Sequence, residues 1–276
     1  MEGDKGMTLE VLLSCMYQKG AGIITRSNLG GVKTLVINQC DIAADEMVQL
    51  DERHRMYHTK TRGLSVSRNL AIQKAEADIC LLSDDDEIFA EDLNERICRA
   101  YERFPAADII VFQLSNRFNK RLGAAPRRLR KYEMLRVASW QISFRLSAIR
   151  DQVSFDRLLG AGTGNGGGEE NKFLLDCWRA GKKIYYVPEI IAEGINDMES
   201  TWFFGWDRDF FYNRGKTTRY VLGLPVSLFY AAYYLIRQRG CYQKEISVRD
   251  AAKYLLSGIL HNDLTREAQQ MREKRG

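Results

Sequence analysis

The chain has six cysteines, at positions 15, 40, 80, 98, 177 and 241, yet it lacks any C-x-x-C pair. That absence argues against a zinc site or a dithiol redox motif. Thiols such as Cys80 and Cys98, set in strand-like and helix-like segments, read instead as small apolar side chains in a reducing compartment. Nothing near Met1 resembles a secretory leader either. The run Leu9–Leu13 is too short for a signal core, and Glu2 and Asp4 stand where positive residues are usual, which predicts a cytoplasmic protein. Nor is there an uncharged run to cross a bilayer at Val221–Ile236: its sixteen residues include Gly223 and Pro225, against the roughly 20 that a spanning helix needs. Two readings of that segment stand. It is a buried core helix, or it lies on an anionic membrane surface with its tyrosines near the headgroups and Arg237 and Arg239 following it.

At 276 residues the chain can bury one large core, or one domain with an appendage. The net charge of +5 is unevenly spread. Arg117–Arg136 holds eight Lys/Arg and one Glu, and the segment from Arg237 onward holds nine Lys/Arg against five Asp/Glu. A nucleic-acid partner is not expected, because the basic and aromatic residues are not interleaved as a base-stacking groove requires. Phosphorylated small molecules or an anionic membrane surface suit these patches better.

Strand and helix signals alternate through the first half. Apolar runs at Thr8–Ser14, Lys33–Asn38, Asp78–Leu82 and Asp108–Leu114 predict buried strands. Between them Met16–Thr25 is weakly helical, and Ser65–Ala75 predicts a helix with Val66, Leu70, Ala71 and Ala75 on its inner face. Glu91–Phe104 predicts a second helix, ended by Pro105. Asn116–Lys131 is basic and aperiodic, a mobile loop by composition. Ser139–Ile149 resumes structure as a strand, and a glycine-dense stretch at 160–168 precedes a helix from Glu169 to about Ala180. A strand at Lys183–Val187 is expected to stop at Pro188. This rhythm predicts an α/β fold with a largely parallel central sheet flanked by helices. A helical C-terminal extension follows, with the domains divided at 1–215 and 216–276. His54 and His58 are four apart but without an intervening glutamate, and are expected on the surface.

Asp84, Asp85 and Asp86 directly follow the apolar run Ile79–Leu82, and Glu87 extends the acidic series. Clustered carboxylates repel, and aspartate propagates neither helix nor strand well. A hard divalent cation gives such a cluster a purpose; a solvated acidic turn is the alternative.

Gly63-Leu64-Ser65-Val66-Ser67-Arg68-Asn69-Leu70-Ala71, the strand Ile79–Leu82 and Ser83-Asp84-Asp85-Asp86-Glu87 together resemble the family 2 glycosyltransferases of the GT-A fold, where a comparable helix precedes a strand ending in a D-x-D-type turn. A second block is similar in the same order: Gly168-Glu169-Glu170-Asn171, Phe173-Leu174, Gly181 and Ile184-Tyr185-Tyr186-Val187-Pro188. The likeness covers roughly residues 8–190. It departs where the first strand ends Ser14-Cys15-Met16-Tyr17 in place of a Pro-x-x-Asn turn. The second strand ends Asn38-Gln39-Cys40-Asp41 in place of an aspartate pair. No Q-x-x-R-W motif of the processive synthases is found, so the resemblance implies transfer of single sugars.

The resemblance implies a nucleotide-diphosphate sugar donor, with UDP the expected nucleotide, and a glycan or lipid-linked acceptor of the cell-surface type. It implies Mn²⁺ or Mg²⁺ held by two of Asp84, Asp85 and Asp86, with a ribose contact near Ser83 or Asp84. Ser14, Asn38, Gln39 and Arg68 are the further donor-binding candidates; Arg68 either meets the phosphates or braces the acidic turn. Glu170, beside Glu169, is the candidate general base of an inverting transfer; the alternative is that both carboxylates merely favour the first turn of a helix. Trp202 is a candidate acceptor platform or a core residue. Arg127-Arg128-Leu129-Arg130-Lys131 is either a lid or a solvated loop. The expected location is the cytoplasm, with peripheral contact at the inner face of the membrane.

Three rivals are carried. Gly162-Thr163-Gly164-Asn165-Gly166-Gly167 fits a dinucleotide fingerprint, but Glu169 and Glu170 would repel a pyrophosphate at the following helix. A nucleotidyltransferase would want a glycine-rich basic loop after the first strand, which Ser14–Lys19 lacks. A non-catalytic sugar- or lipid-binding module would bind without a metal.

Overall fold

A computed structural model describes residues 6–115, 122–195, 205–261 and 263–273. The chain divides into two units, Met1–Phe155 with Glu170–Met198, and Asp156–Glu169 with Glu199–Gly276. The second unit therefore begins well before residue 216 and includes an excursion from the middle of the chain.

In chain order the first unit holds β1 (Leu9–Met16), α1 (Gly22–Arg26), β2 (Thr34–Gln39), β3 (Glu46–Gln49), β4 (His54–Thr59), α2 (Leu64–Lys74), β5 (Ile79–Ser83), β6 (Glu87–Phe89), α3 (Leu93–Arg103), β7 (Ile109–Leu114), β8 (Arg127–Arg128), β9 (Ile142–Arg145), α4 (Leu146–Ile149), α5 (Glu169–Arg179) and β10 (Ile184–Gly194). The strands form one sheet in the order β3-β4-β2-β1-β5-β9-β7-β10-β6, with β8 beside β10. β4, β2, β1 and β5 run parallel. β9 is antiparallel to both β5 and β7, which makes the sheet mixed beyond its parallel heart.

β1, β2 and β5 are buried on both faces, which is why they read as continuous apolar runs. Their shared direction brings Met16, Gln39 and Ser83 to one edge, the carboxyl edge at which open α/β sheets bind ligands. α3 packs Leu93, Ile97, Ala100 and Tyr101 inward, a 3–4 spacing.

Four expectations need correction. α2 buries the expected Ala71 and Ala75, but with Ser65, Ser67, Arg68 and Ile72, while Val66 and Leu70 are only half-buried; its inward face meets polar groups of the carboxyl edge as well as apolar ones. β10 runs through Pro188 to Gly194, because a register shift between Tyr186 and Ile190 removes the need for a proline N–H. Ser139–Ile149 is only partly strand: β9 spans four residues between a 3₁₀ turn at Ser139–Gln141 and α4. His54 is buried on β4, bonded to Asp51 and to the Leu29 carbonyl, and His58 is half-buried against Asn38.

The second unit is helical: α6 (Arg208–Leu222), α7 (Leu224–Arg237), α8 (Arg239–Tyr242), α9 (Val248–His261) and α10 (Asp263–Glu273). Asp207 caps α6 by accepting from the Phe210 amide. Gly223, at φ 77°, separates α6 from α7, and Pro225 sits in the first turn of α7, where a missing N–H costs nothing. Phe211, Ala231, Tyr234, Tyr242, Ala251, Leu255 and Ile259 form the core of the bundle. α6 and α9 cross at Gly215 and Gly258 with their backbones in contact.

Candidate active site

The acidic turn lies between β5 and β6 and is folded around Glu87. Glu87 Oε2 accepts from the Asp84 amide and from Ser83 Oγ, both at 3.0 Å. Burial, then the charges of Asp84 and Asp86, push its carboxyl well above the usual range. The turn is also framed by its carbonyls: the Ile195 amide donates to that of Asp86 and Arg26 to that of Asp85.

The three aspartates have different surroundings. Asp84 accepts Arg68 Nη2 on both oxygens, at 2.8 and 3.1 Å, and Ser139 Oγ at 2.9 Å. Arg68 is 1% exposed and its guanidinium lies 5.4 Å from the ring centroid of Phe155. Asp85 and Asp86 have no side-chain hydrogen bond or ion pair among the described residues. Burial and the neighbouring Asp84 push both carboxyls up, with Asp85 adding to the shift of Asp86. Among the described residues no three His, Cys, Asp or Glu side chains converge as a metal-binding group. The donor set still fits a hard divalent cation, because Asp85 and Asp86 offer oxygens that no side chain holds and whose ionisation is disfavoured until positive charge arrives.

α5 carries Glu170 in its first turn, and this helix is tied to the acidic turn inside the first unit. Asn171 Nδ2 donates to the carbonyls of Met134 and Val137, at 3.0 and 3.1 Å. Two residues further on, Ser139 holds Asp84. Phe173 of α5 stacks on Phe155 at 4.2 Å, the ring that also lies under Arg68. Asn69 grips the backbone of Phe155 through both atoms of its amide. Arg68 and α5 thus meet on the ring of Phe155, and Asn69 holds its backbone. Glu170 is half-buried and Glu169 buried.

At the ends of β1 and β2 the candidates face inward. Ser14 Oγ accepts from Ser67. Both amide atoms of Asn38 bond the backbone of Gln18, and Gln39 Nε2 donates to the carbonyls of Thr61 and Gly63. The groups that reach the surface here are one or more residues further on. Tyr17, 55% exposed at φ 53°, donates to Asp41; Arg62 pairs with Asp41 and lies 5.6 Å from the Tyr17 ring centroid. The signal for this cluster is positional: the first residues past parallel strands of equal register share an edge. Trp202 lies outside the described residues.

Arg127, in the expected basic loop, belongs to β8 and is paired with Glu133, whose carboxyl that pairing pushes down to about 2. The described part of that loop is therefore anchored to β10. The glycine stretch also has a conformational explanation. Gly160, Gly162, Gly164, Gly167 and Gly168 all have φ between 78° and 100°. No strand leads into it, and a Gly160–Asn165 bridge closes it on itself, which is not the strand–turn–helix of a dinucleotide site.

Residues 40–150 match Glycosyl transferase family 2. No curated protein matches the chain. Among solved structures, S. aureus TarS 1–349 in complex with UDP-GlcNAc is similar, with a TM-score of 0.56 and 12% identity over 87% of this chain and 74% of that one. A second structure of S. aureus TarS 1–349 gives 0.54 at the same identity and coverage. The longer S. aureus TarS structure gives 0.55 at 12% identity, over 86% of this chain and 44% of that one. At such identity the likeness is one of fold.

Proposed function

We propose that this chain, a family 2 glycosyltransferase of GT-A fold, moves a single sugar from a nucleotide-diphosphate donor to a hydroxyl of a glycan or lipid-linked acceptor, with inversion at the anomeric carbon. The observation that carries this reading is the division of labour in the acidic turn. Asp84 is clamped by Arg68 and Ser139, which leaves Asp85 and Asp86 open at the carboxyl edge.

Asp85 and Asp86 would hold Mn²⁺ or Mg²⁺, which when bound neutralises charge on the departing diphosphate. Arg68 acts through Asp84: it fixes the turn rather than touching phosphate. The nucleotide lies along the ends of β1 and β2, with its base against the Tyr17 ring and its hydroxyls near Asp41 and Arg62. Ser14, Asn38 and Gln39 shape that floor from beneath, and Ser83 orients the turn. Uridine is the expected base, a reading supported by the fold shared with a UDP-GlcNAc-bound protein.

Glu170 takes the proton of the acceptor hydroxyl as that oxygen bonds to the anomeric carbon. The bond from that carbon to the phosphate oxygen breaks, and the nucleoside diphosphate leaves with the electron pair. Glu169 precedes it in the first turn of α5, and Trp202 is assigned to the acceptor sugar. A lipid-linked acceptor would bring the enzyme from the cytoplasm to the inner membrane face as a peripheral protein. No helix among the described residues is long and apolar enough to span a membrane. The test is nucleotide release from a panel of UDP-sugars with Mn²⁺ and with chelator. Metal-dependent release with one donor is expected; no release, or release unaffected by chelator, would overturn the reading.

A further inference from the structure

The outward side of α7 is unlike a solvated helix face. Leu224, Pro225, Leu228, Phe229, Ala232, Tyr233 and Ile236 are its exposed residues before Arg237, and none carries charge. Phe229 is 80% exposed, Ile236 79% and Tyr233 60%. These three recur at spacings of four and three, so they form one stripe along the helix. The opposite side, Ser227, Ala231 and Tyr234, is buried in the bundle. α7 is therefore apolar on both sides, although only one of them has a partner among the described residues. A contiguous exposed apolar stripe of this kind marks an interaction surface.

The surrounding charge indicates what covers it. From Phe210 to Lys244 the sequence holds six Lys/Arg and no Asp or Glu. Arg237, Arg239 and Lys244 follow the stripe directly and are exposed. A protein partner or a second copy of this face would have to bring its own carboxylates, since this segment has none for a self-complementary pairing. A surface of anionic headgroups over hydrocarbon matches both properties at once. It accepts phenyl and branched aliphatic side chains at the acyl boundary, tyrosine at the headgroup level and guanidinium groups against phosphate.

The geometry points to the outward face of α7 as a docking surface for anionic lipid, with Phe229, Tyr233 and Ile236 inserted and Arg237, Arg239 and Lys244 against the headgroups. It rests on the reading of the acceptor as membrane-borne for its purpose, but the binding itself needs neither donor nor acceptor.

The experiment is co-sedimentation of the full chain with vesicles of phosphatidylcholine alone and of phosphatidylcholine with phosphatidylglycerol, without donor. Binding to the anionic vesicles alone is expected, weakening as salt is raised. The double substitution Phe229→Glu with Ile236→Glu should lower partitioning at least about tenfold. Arg237→Gln with Arg239→Gln should lower it while leaving the apolar stripe and the fold intact, which circular dichroism checks. No sedimentation with either vesicle, or equal sedimentation with both, would overturn the assignment. So would a dimer in lipid-free solution that the double substitution at Phe229 and Ile236 dissolves. Because nucleotide release is measured separately, loss of sugar transfer and loss of lipid binding remain distinguishable.

Discussion

Gly215 and Gly258 are reciprocal partners at the crossing of α6 and α9. A β-carbon on Gly215 would lie 2.1 Å from the Leu255 carbonyl oxygen, and one on Gly258 would lie 2.1 Å from that of Tyr212. Each glycine thus meets the carbonyl three residues before the other. In an exposed helix, glycine to alanine stabilises by about 1 kcal/mol. Here the sign should reverse: Gly215→Ala or Gly258→Ala should destabilise by about 2 kcal/mol or more, since the obstacle is backbone and cannot swing aside. Chemical denaturation decides it, and a stabilised variant would disprove the close crossing.

The acidic turn predicts a split among three similar substitutions. Asp84→Asn replaces the carboxylate that accepts from both Arg68 and Ser139 with an amide, so stability should fall by about 2 kcal/mol. Asp85→Asn and Asp86→Asn relieve carboxylates that burial and mutual repulsion disfavour. Without metal those two variants should be as stable as the parent or more so, while metal-dependent turnover drops by about 100-fold or more. Equal losses of stability at all three positions would refute the division.

Glu170→Gln keeps the shape of the side chain and removes the base. Turnover should fall by about 10²- to 10⁴-fold while donor affinity, read by calorimetry, stays unchanged. Near-normal turnover would return Glu170 to the role of a first-turn helix carboxylate.

The pH profile of stability follows from opposite shifts. Asp85, Asp86 and Glu87 have folded-state values raised above their unfolded ones, so the folded protein binds more protons across that interval. In the presence of chelator their effect is to lower stability as pH rises from about 4 through the folded-state values. Glu133 works the other way: its contribution is present above its ordinary value and is lost as pH falls through about 2. Glu87→Gln should flatten the upper part of the profile, because an amide oxygen can accept the same two bonds without ionising. Denaturation midpoints across pH, parent against variant, measure it; an unchanged slope would place the charge elsewhere.

Much of the parallel sheet was legible, since β1, β2, β5 and β7 are continuous apolar runs and α3 is amphipathic. β4 was not, because His54-Arg55-Met56-Tyr57-His58-Thr59 buries polar side chains through partners such as Asp51 and Leu29 that a local reading does not pair. β6 has three residues, too few for any periodicity. At the site, residue types were readable and their engagements were not. Asp84 is held by Ser139, 55 positions away, and Asn38 and Gln39 looked available until their amides proved bonded to loop carbonyls. Tyr17 and Asp41 were in view as departures from a family pattern, but only the shared register of β1 and β2 makes them neighbours.

The path of the chain between its two units bears on how this enzyme can be taken apart. The helical unit is formed from two separate stretches, 156–169 and 199–276, and the chain returns from the first of them directly into Glu170. Tyr220 of α6 holds Asp156 of the inserted stretch, and Gly168 packs against Thr217. A chimera that exchanges only the C-terminal stretch would separate these partners. Recombination that respects the fold must therefore carry both segments together, with one of its junctions falling immediately before the proposed base.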